Sequence, residues 1–280
     1  MKASILKKLV CPVCFARGPS GRGPALAKAG KAGPPALACR QCGTRFPFIG
    51  GIVNLAGEIT RPVIFSTQWA MEFEPLVAAY ENLWRPSLTH CISNLQWEMK
   101  MSRQLMNVAS GMDVLDLACG TGNFTRLFSA AAQPGDVIGI DLSLPMLQRG
   151  QRILREEKMT GITLMRADVT RWPFASGVFD RIHCAGALHL FPDLEDVLKA
   201  VYRSLRPGGC FVGATYCRGG DFVTQMVQKI AADASWIRWF EPQELQSLTR
   251  WAGFTGWEER TFRQGIVFRV QKPAFQGAEV

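Results

Sequence analysis

Residues 114–128 read VLDLACGTGNFTRLF. An apolar run carries an acid, Asp116, into a small-residue loop in which two glycines flank Thr121, and a helix-like run follows. In an open α/β sheet, ligands bind beyond the carboxyl ends of the strands, where the strand order reverses. Gly120 and Gly122 let the backbone turn sharply and let a ligand approach without meeting a Cβ. A helix starting at about 122 offers free N–H groups at its first turn. The stretch therefore reads as the ligand cradle of an α/β sheet.

Working outward, strand-like runs lie at 113–118, 136–141, 162–167, 179–185 and 209–216, then at 256–262 and 266–272. Helix-like runs fall at 122–132, 144–158, 193–205 and, in pieces, 222–252. Five strands each followed by a helix predict right-handed crossovers and a parallel sheet covered on both faces. The last two strands are joined by a short turn at Gln264 and Gly265, so they form a hairpin with one strand antiparallel at the edge. The expected fold class is α/β: a Rossmann-like, seven-stranded, mostly parallel sheet with an antiparallel edge hairpin.

The acids select the ligand. A dinucleotide fingerprint wants a third glycine where Thr125 stands. Asp116, four residues before Gly120, would repel a pyrophosphate but suits a cation. Asp141 ends the next strand, 19 residues after Gly122, where a carboxylate can accept both hydroxyls of a ribose. Asp168 ends the strand after that and can accept from the amino group of an adenine; its competing role is a helix cap. A cation, a ribose and an adenine together describe S-adenosylmethionine.

VLDLACGTGNFTRLF, GIDLSLPML, RADVTRWPFASGVFD, GALHLFPD and LRPGG occur in order over about 112–216. They resemble the successive motifs of class I S-adenosylmethionine-dependent methyltransferases. By that resemblance Asp116 and Gly120, Thr121 and Gly122 line the methionine end, Asp141 holds the ribose, and Asp168 with Val169 meets the adenine. Leu142 and Met146 would pack against the base, and Ala118 and Ala185 complete the implied cofactor set.

The N-terminal region reads differently. Cys11 and Cys14, then Cys39 and Cys42, form two C-x2-C pairs separated by 24 residues, with a Gly/Pro/Ala-rich stretch at 17–36 that reads as a flexible loop. Four thiolates complete a tetrahedral zinc site with no open position, hence a structural metal; free or redox thiols are the competing reading. FPFIGGIVNLA, broken at Gly50 and Gly51, reads as a hairpin end. The expected organisation is a zinc-ribbon-like module at 1–57, a helical connector and pocket lid at 58–111, and a methyltransferase core at 112–280. This layout resembles both the bacterial rRNA guanine-N1 methyltransferases and a group of plastid and bacterial methyltransferases. YENLWRP and HCAGALHLFP look closer to the latter.

The chain has 280 residues and a net charge of +9, and all of that excess lies in residues 1–62, which hold ten Lys/Arg and one acid, Glu58. A basic module on a neutral body steers toward a polyanion such as RNA; a solvated module is the bland alternative. No apolar run approaches the roughly 18 residues that would span a bilayer, and the start does not read as a signal peptide. Of nine cysteines, the five outside the two pairs are scattered, which points to a reducing, cytoplasmic compartment.

The segment after Asp180, RIHCAGALHLF, is where acceptors commonly meet the cofactor. It holds no (D/N)-P-P-(Y/F/W) grip for an exocyclic amine and no Pro-Cys nucleophile. His189 is the candidate base, its alternative being a histidine that hydrogen-bonds loop backbone. By the resemblance, Tyr80 and Trp84 would lid the pocket, with Tyr80 the second candidate catalytic residue; packing is the alternative for both. His183 reads as structural. The expected acceptor is a small hydrophobic metabolite methylated on oxygen or carbon, with an RNA base as the alternative.

Overall fold

The computed structural model describes residues 1–17, 23–30, 33–57, 72–74, 77, 93–219 and 238–274. The N-terminal part contains α1 (Ala3–Leu6), α2 (Pro12–Arg17), β1 (Leu26–Lys28), β2 (Ala36–Cys39), β3 (Arg45–Ile49) and β4 (Ile52–Asn54). Then come α3 (Leu95–Met106), β5 (Val114–Leu117), α4 (Asn123–Ala132), β6 (Val137–Asp141), α5 (Leu144–Glu156), β7 (Ile162–Arg166) and β8 (Phe179–Ala185). A 3-10 turn at Leu188–Leu190, α6 (Leu194–Ser204), β9 (Leu205–Tyr216), α7 (Pro242–Trp251), β10 (Thr255–Phe262) and β11 (Gly265–Gln271) complete it. Among the described residues no helix is long and apolar enough to cross a membrane.

Strands β5 to β9 are parallel to one another, in the order β7-β6-β5-β8-β9, so the winding reverses between β5 and β8. Alternate residues feed two apolar layers, as a pleated strand covered on both faces requires. Val114, Val137, Val212 and Ala214 pack with Phe124 and Phe128 of α4 and Leu105 and Met106 of α3. Leu115, Leu117, Ile138, Ile140, Ile182 and Phe211 pack on the other side with Val197, Leu198 and Val201 of α6. The C-terminal hairpin forms as expected, with its antiparallel strand β11 inserted between β9 and β10 rather than outermost.

Three features depart from the sequence reading. First, the connection from β7 to β8 carries no helix. Pro173 and Gly177 interrupt it, and the N-terminal module covers that face instead. Val10 N–H donates to Pro173 O (2.8 Å) and Ala175 N–H to Lys8 O (2.9 Å). Ile5, Leu9, Leu26, Leu37 and Phe46 share one apolar cluster with Trp172, Phe174 and the sheet.

Second, the module joins the main sheet. The β3–β4 hairpin turns at Gly50 and Gly51, and β4 pairs in parallel with β7, Val53 opposite Met165 and Asn54 opposite Arg166. Among the described residues the sheet thereby reaches eleven strands. Third, part of the stretch read as a flexible loop is strand: β1 pairs antiparallel with β2, Leu26 opposite Cys39. The helical connector expected at 58–111 is seen at α3; most of its earlier part, with Tyr80 and Trp84, lies outside the described residues.

Charge fastens the same junction. Lys8, only 7% exposed, places Nζ 2.9 Å from Asp136 and 3.2 Å from Asp113. Arg206 bridges Asp113, at 2.8 Å, and Asp180. Burial opposes the Asp136 charge, but Lys8, Ser4 and Lys2 outweigh it and lower its pKa.

Candidate functional site

The carboxyl ends of β5 to β9 lie along one edge of the sheet, the winding reverses between β5 and β8, and the loop Ala118–Gly122 follows β5 at that point. Gly120 (φ +56°) and Gly122 (φ +86°) are left-handed, and a Cβ on Gly120 would stand 3.1 Å from Met146 Cε. Ala118 is also left-handed (φ +50°), a backbone state that costs a non-glycine residue energy and tends to be kept at binding sites. Gly122 is the N-cap of α4, and no side chain caps that helix. Thr121 is buried.

Asp141 sits under the loop and clamps it. Gly120 N–H donates to Oδ2 (2.7 Å) and Ser143 N–H to Oδ1 (2.8 Å). Burial raises its pKa against those backbone donors, and the nearby Asp116 raises it further. Ser143 caps α5 by accepting from Met146 N–H, which seats Met146 against the glycine loop. Leu142 holds Arg166 Nε on its carbonyl (2.9 Å). Asp168 follows β7 and accepts at Oδ1 from both Thr170 N–H (2.9 Å) and Thr170 Oγ1 (2.7 Å). That is a local turn of its own rather than a helix cap, and it fixes the carboxylate at the strand tip beside Val169. Ala185 closes β8.

Asp116 is placed differently from its neighbours. It is 2% exposed; Thr125 Oγ1 donates to Oδ2 (2.6 Å), and His183 Nδ1 lies 2.8 Å from Oδ1. The sequence shows which face of β5 it occupies, but not these partners. Glu72 was also missed by the sequence reading. Its Oε1 is buried without a hydrogen-bond partner. Burial raises its pKa, the charge of Arg166 lowers it and that of Asp141 raises it.

His189 stands in the 3-10 turn after β8, 8% exposed. Its Nδ1 is 3.5 Å from Thr215 Oγ1, and its ring is 5.5 Å from that of Tyr216. Burial pulls its pKa down to about 4, so the imidazole is neutral at pH 7. Trp239 lies beyond Tyr216, 6.2 Å between ring centroids, with its buried indole N–H unpartnered. Tyr80, the other catalytic candidate, lies outside the described residues.

In the N-terminal module the four sulfurs of Cys11, Cys14, Cys39 and Cys42 all lie within 4.8 Å of one another. Cys11 and Cys42 are 3.7 Å apart and Cys14 and Cys39 3.8 Å. A thiolate tetrahedron about 2.3 Å from zinc has edges of about 3.8 Å, so the donor set fits that ion. The Thr44 hydroxyl pulls Cys42 down to about 6, while burial pushes Cys11 up to about 12.

This geometry can be set beside known proteins. Residues 114–209 match the Methyltransferase domain family. A demethylmenaquinone methyltransferase of Staphylococcus saprophyticus is 30% identical over 192 residues, covering 61% of this chain and 81% of that protein. The chain belongs to the class I S-adenosylmethionine-dependent methyltransferases. Among other methyltransferases, a chloroplastic protein of Arabidopsis thaliana, Uncharacterized methyltransferase At2g41040, is 29% identical over 71% of this chain. The chain spans 58% of that relative's length. The fold is shared with phosphoethanolamine N-methyltransferase 2 of Haemonchus contortus, solved with S-adenosyl-L-methionine (TM-score 0.62, 17% identity, 78% of this chain and 61% of that one).

Proposed function

We propose that this chain transfers a methyl group from S-adenosylmethionine to an oxygen or carbon of a small, hydrophobic, ring-bearing acceptor. The observation that carries the reading is the placement of His189. A neutral imidazole stands with Thr215 and Tyr216 at the carboxyl end of β9, across the switch point from the glycine cradle. The cradle residues fit the cofactor. Ala118–Gly122 leave room for its backbone approach, Asp141 offers acceptors for the ribose, Asp168 is fixed for the base, and Met146 supplies an apolar wall. When bound, the cofactor supplies an electrophilic methyl on a sulfonium.

The chain's own contribution is to position, exclude water and manage one proton. A hydroxyl or a carbon acid must shed a proton when it takes a methyl group. His189 is deprotonated at neutral pH, and with its hydrogen on Nδ1 toward Thr215 its Nε2 can accept a proton. Tyr216 and Trp239 line the same side with aromatic surface, which suits a flat acceptor. Relatives named for demethylmenaquinone methylation support an aromatic ring as acceptor.

Zinc, held by Cys11, Cys14, Cys39 and Cys42, is assigned a structural part, because four thiolates leave no position for substrate. The alternative acceptor, RNA, rested on the basic module; Lys2 and Lys8 of that module are engaged with Asp136 instead. The test is to incubate the whole chain with methyl-labelled S-adenosylmethionine and, in parallel, hydroxylated naphthalenes, simple phenols and ribosomal RNA. Label in a ring product that falls at least about 100-fold in His189→Gln, the general-base range, supports the reading. Label only in RNA overturns it.

A further inference from the structure

We propose that His183 and Ser102 are positioning residues that hold the Asp116 carboxylate, charged and oriented, beneath the cofactor cradle. The inference rests on the reading that Asp116 serves the cationic end of S-adenosylmethionine. Four side chains from four elements form one buried chain. Ser102 Oγ of α3 lies 3.2 Å from His183 Nε2. His183 Nδ1 of β8 lies 2.8 Å from Asp116 Oδ1 of β5. Thr125 Oγ1 of α4 donates to Asp116 Oδ2 at 2.6 Å. Ser102, His183 and Thr125 are fully buried and Asp116 is 2% exposed.

Chemistry assigns the protons. An ionised carboxylate only accepts, so Nδ1 must carry the hydrogen toward Asp116. With the hydrogen on Nδ1, Nε2 is left to accept from the Ser102 hydroxyl. With that tautomer every hydrogen-bonding atom of the ring is satisfied. A buried carboxylate without donors would be costly, and the two donors make its charge tolerable. The ring cannot easily turn, because Phe124 (4.6 Å between centroids) and Phe128 (5.0 Å) flank it. The chain also ties α3 to the first turns of α4, which begin at the cradle.

The test uses the full chain, with calorimetry of S-adenosylmethionine binding and urea melts to confirm folding. His183→Phe fills the space but removes the donor, and we expect its Kd to rise at least about tenfold, the loss of one charge-assisted hydrogen bond. His183→Asn restores an N–H near the Nδ1 position, and its Kd should stay within about threefold of the parent. In the parent, nitrogen-15 NMR should show His183 as the Nδ1–H tautomer. A histidine that merely fills space predicts neither the rescue nor the tautomer.

The proposal is overturned if folded His183→Phe binds within about twofold of the parent, if His183→Asn is as weak as His183→Phe, or if the ring carries its hydrogen on Nε2. Should His183→Phe fail to fold, the NMR tautomer and the His183→Asn affinity decide. Asp116→Ala separates the two readings. If it binds normally, the cofactor role of Asp116 fails and the proposal with it. If it loses binding while His183→Phe keeps it, only the positioning role fails.

Discussion

Lowering the pH places a defined load on His189. Its pKa falls from 6.5 to about 4 because burial penalises the imidazolium. Between those values the unfolded chain binds a proton that the folded chain refuses, so stability present above about 6.5 is lost as the pH falls toward 4. At about 1.4 kcal/mol per pKa unit, the whole loss is about 3 kcal/mol. Asp136, whose pKa is lowered, loses stability in the same direction, and Asp141, whose pKa is raised, works oppositely. Those groups are common to the parent and to His189→Gln, so their effects cancel in the difference. Urea unfolding followed by tryptophan fluorescence from pH 4 to 8 should therefore show the parent losing about 3 kcal/mol more than His189→Gln across that range. On the proposal that His189 is the base, the same burial puts its acid limb in kcat/KM below about pH 5. A stability difference that stays flat, or a limb near 6.5 that vanishes in His189→Gln, refutes the reasoning.

Three further outcomes are expected. Lys8→Met leaves Asp113 and Asp136 facing each other with a buried partner removed, and thermal denaturation should show a loss of about 3 to 5 kcal/mol; under 1 kcal/mol would mean Lys2 and Arg206 suffice. Gly120→Ala puts a Cβ at a left-handed position 3.1 Å from Met146 Cε, and cofactor affinity should fall about tenfold or more by calorimetry. Native mass spectrometry should find one zinc per chain. Cys39→Ser should abolish it and lower the unfolding midpoint; a parent chain that holds no metal refutes the assignment.

The sheet core was legible because its signals are local. Most of the parallel strands are short apolar runs, β6 ending in an acid and β8 in a small residue, and in the structure Ser143 and Asp193 cap the helices that follow β6 and the 3-10 turn. The cradle glycines and Asp141 were legible for the same reason. What was not legible depends on partners distant in the chain. Nothing local tells Asn54 that it will lie opposite Arg166, or Lys8 that it will meet Asp136. The three-residue β1 hides in a Gly/Pro/Ala-rich stretch because its order comes from pairing with β2, not from its own propensity. Alternation along β5 fixes the face that Asp116 occupies, yet the ring waiting there belongs to β8.

The parallel pairing of β4 with β7 has a consequence for how this enzyme can be divided. Cutting the chain ahead of β5 would strip β7 of its neighbour and leave a bare, apolar sheet margin open to self-association. It would also uncover Trp172 and Phe174. The four-cysteine module and the methyltransferase core should therefore melt together in a single transition, and a shortened protein should precipitate rather than work. Insertions or fusions have to be made elsewhere, because the β3–β4 hairpin is the selvage that keeps the rest of the cloth from unravelling.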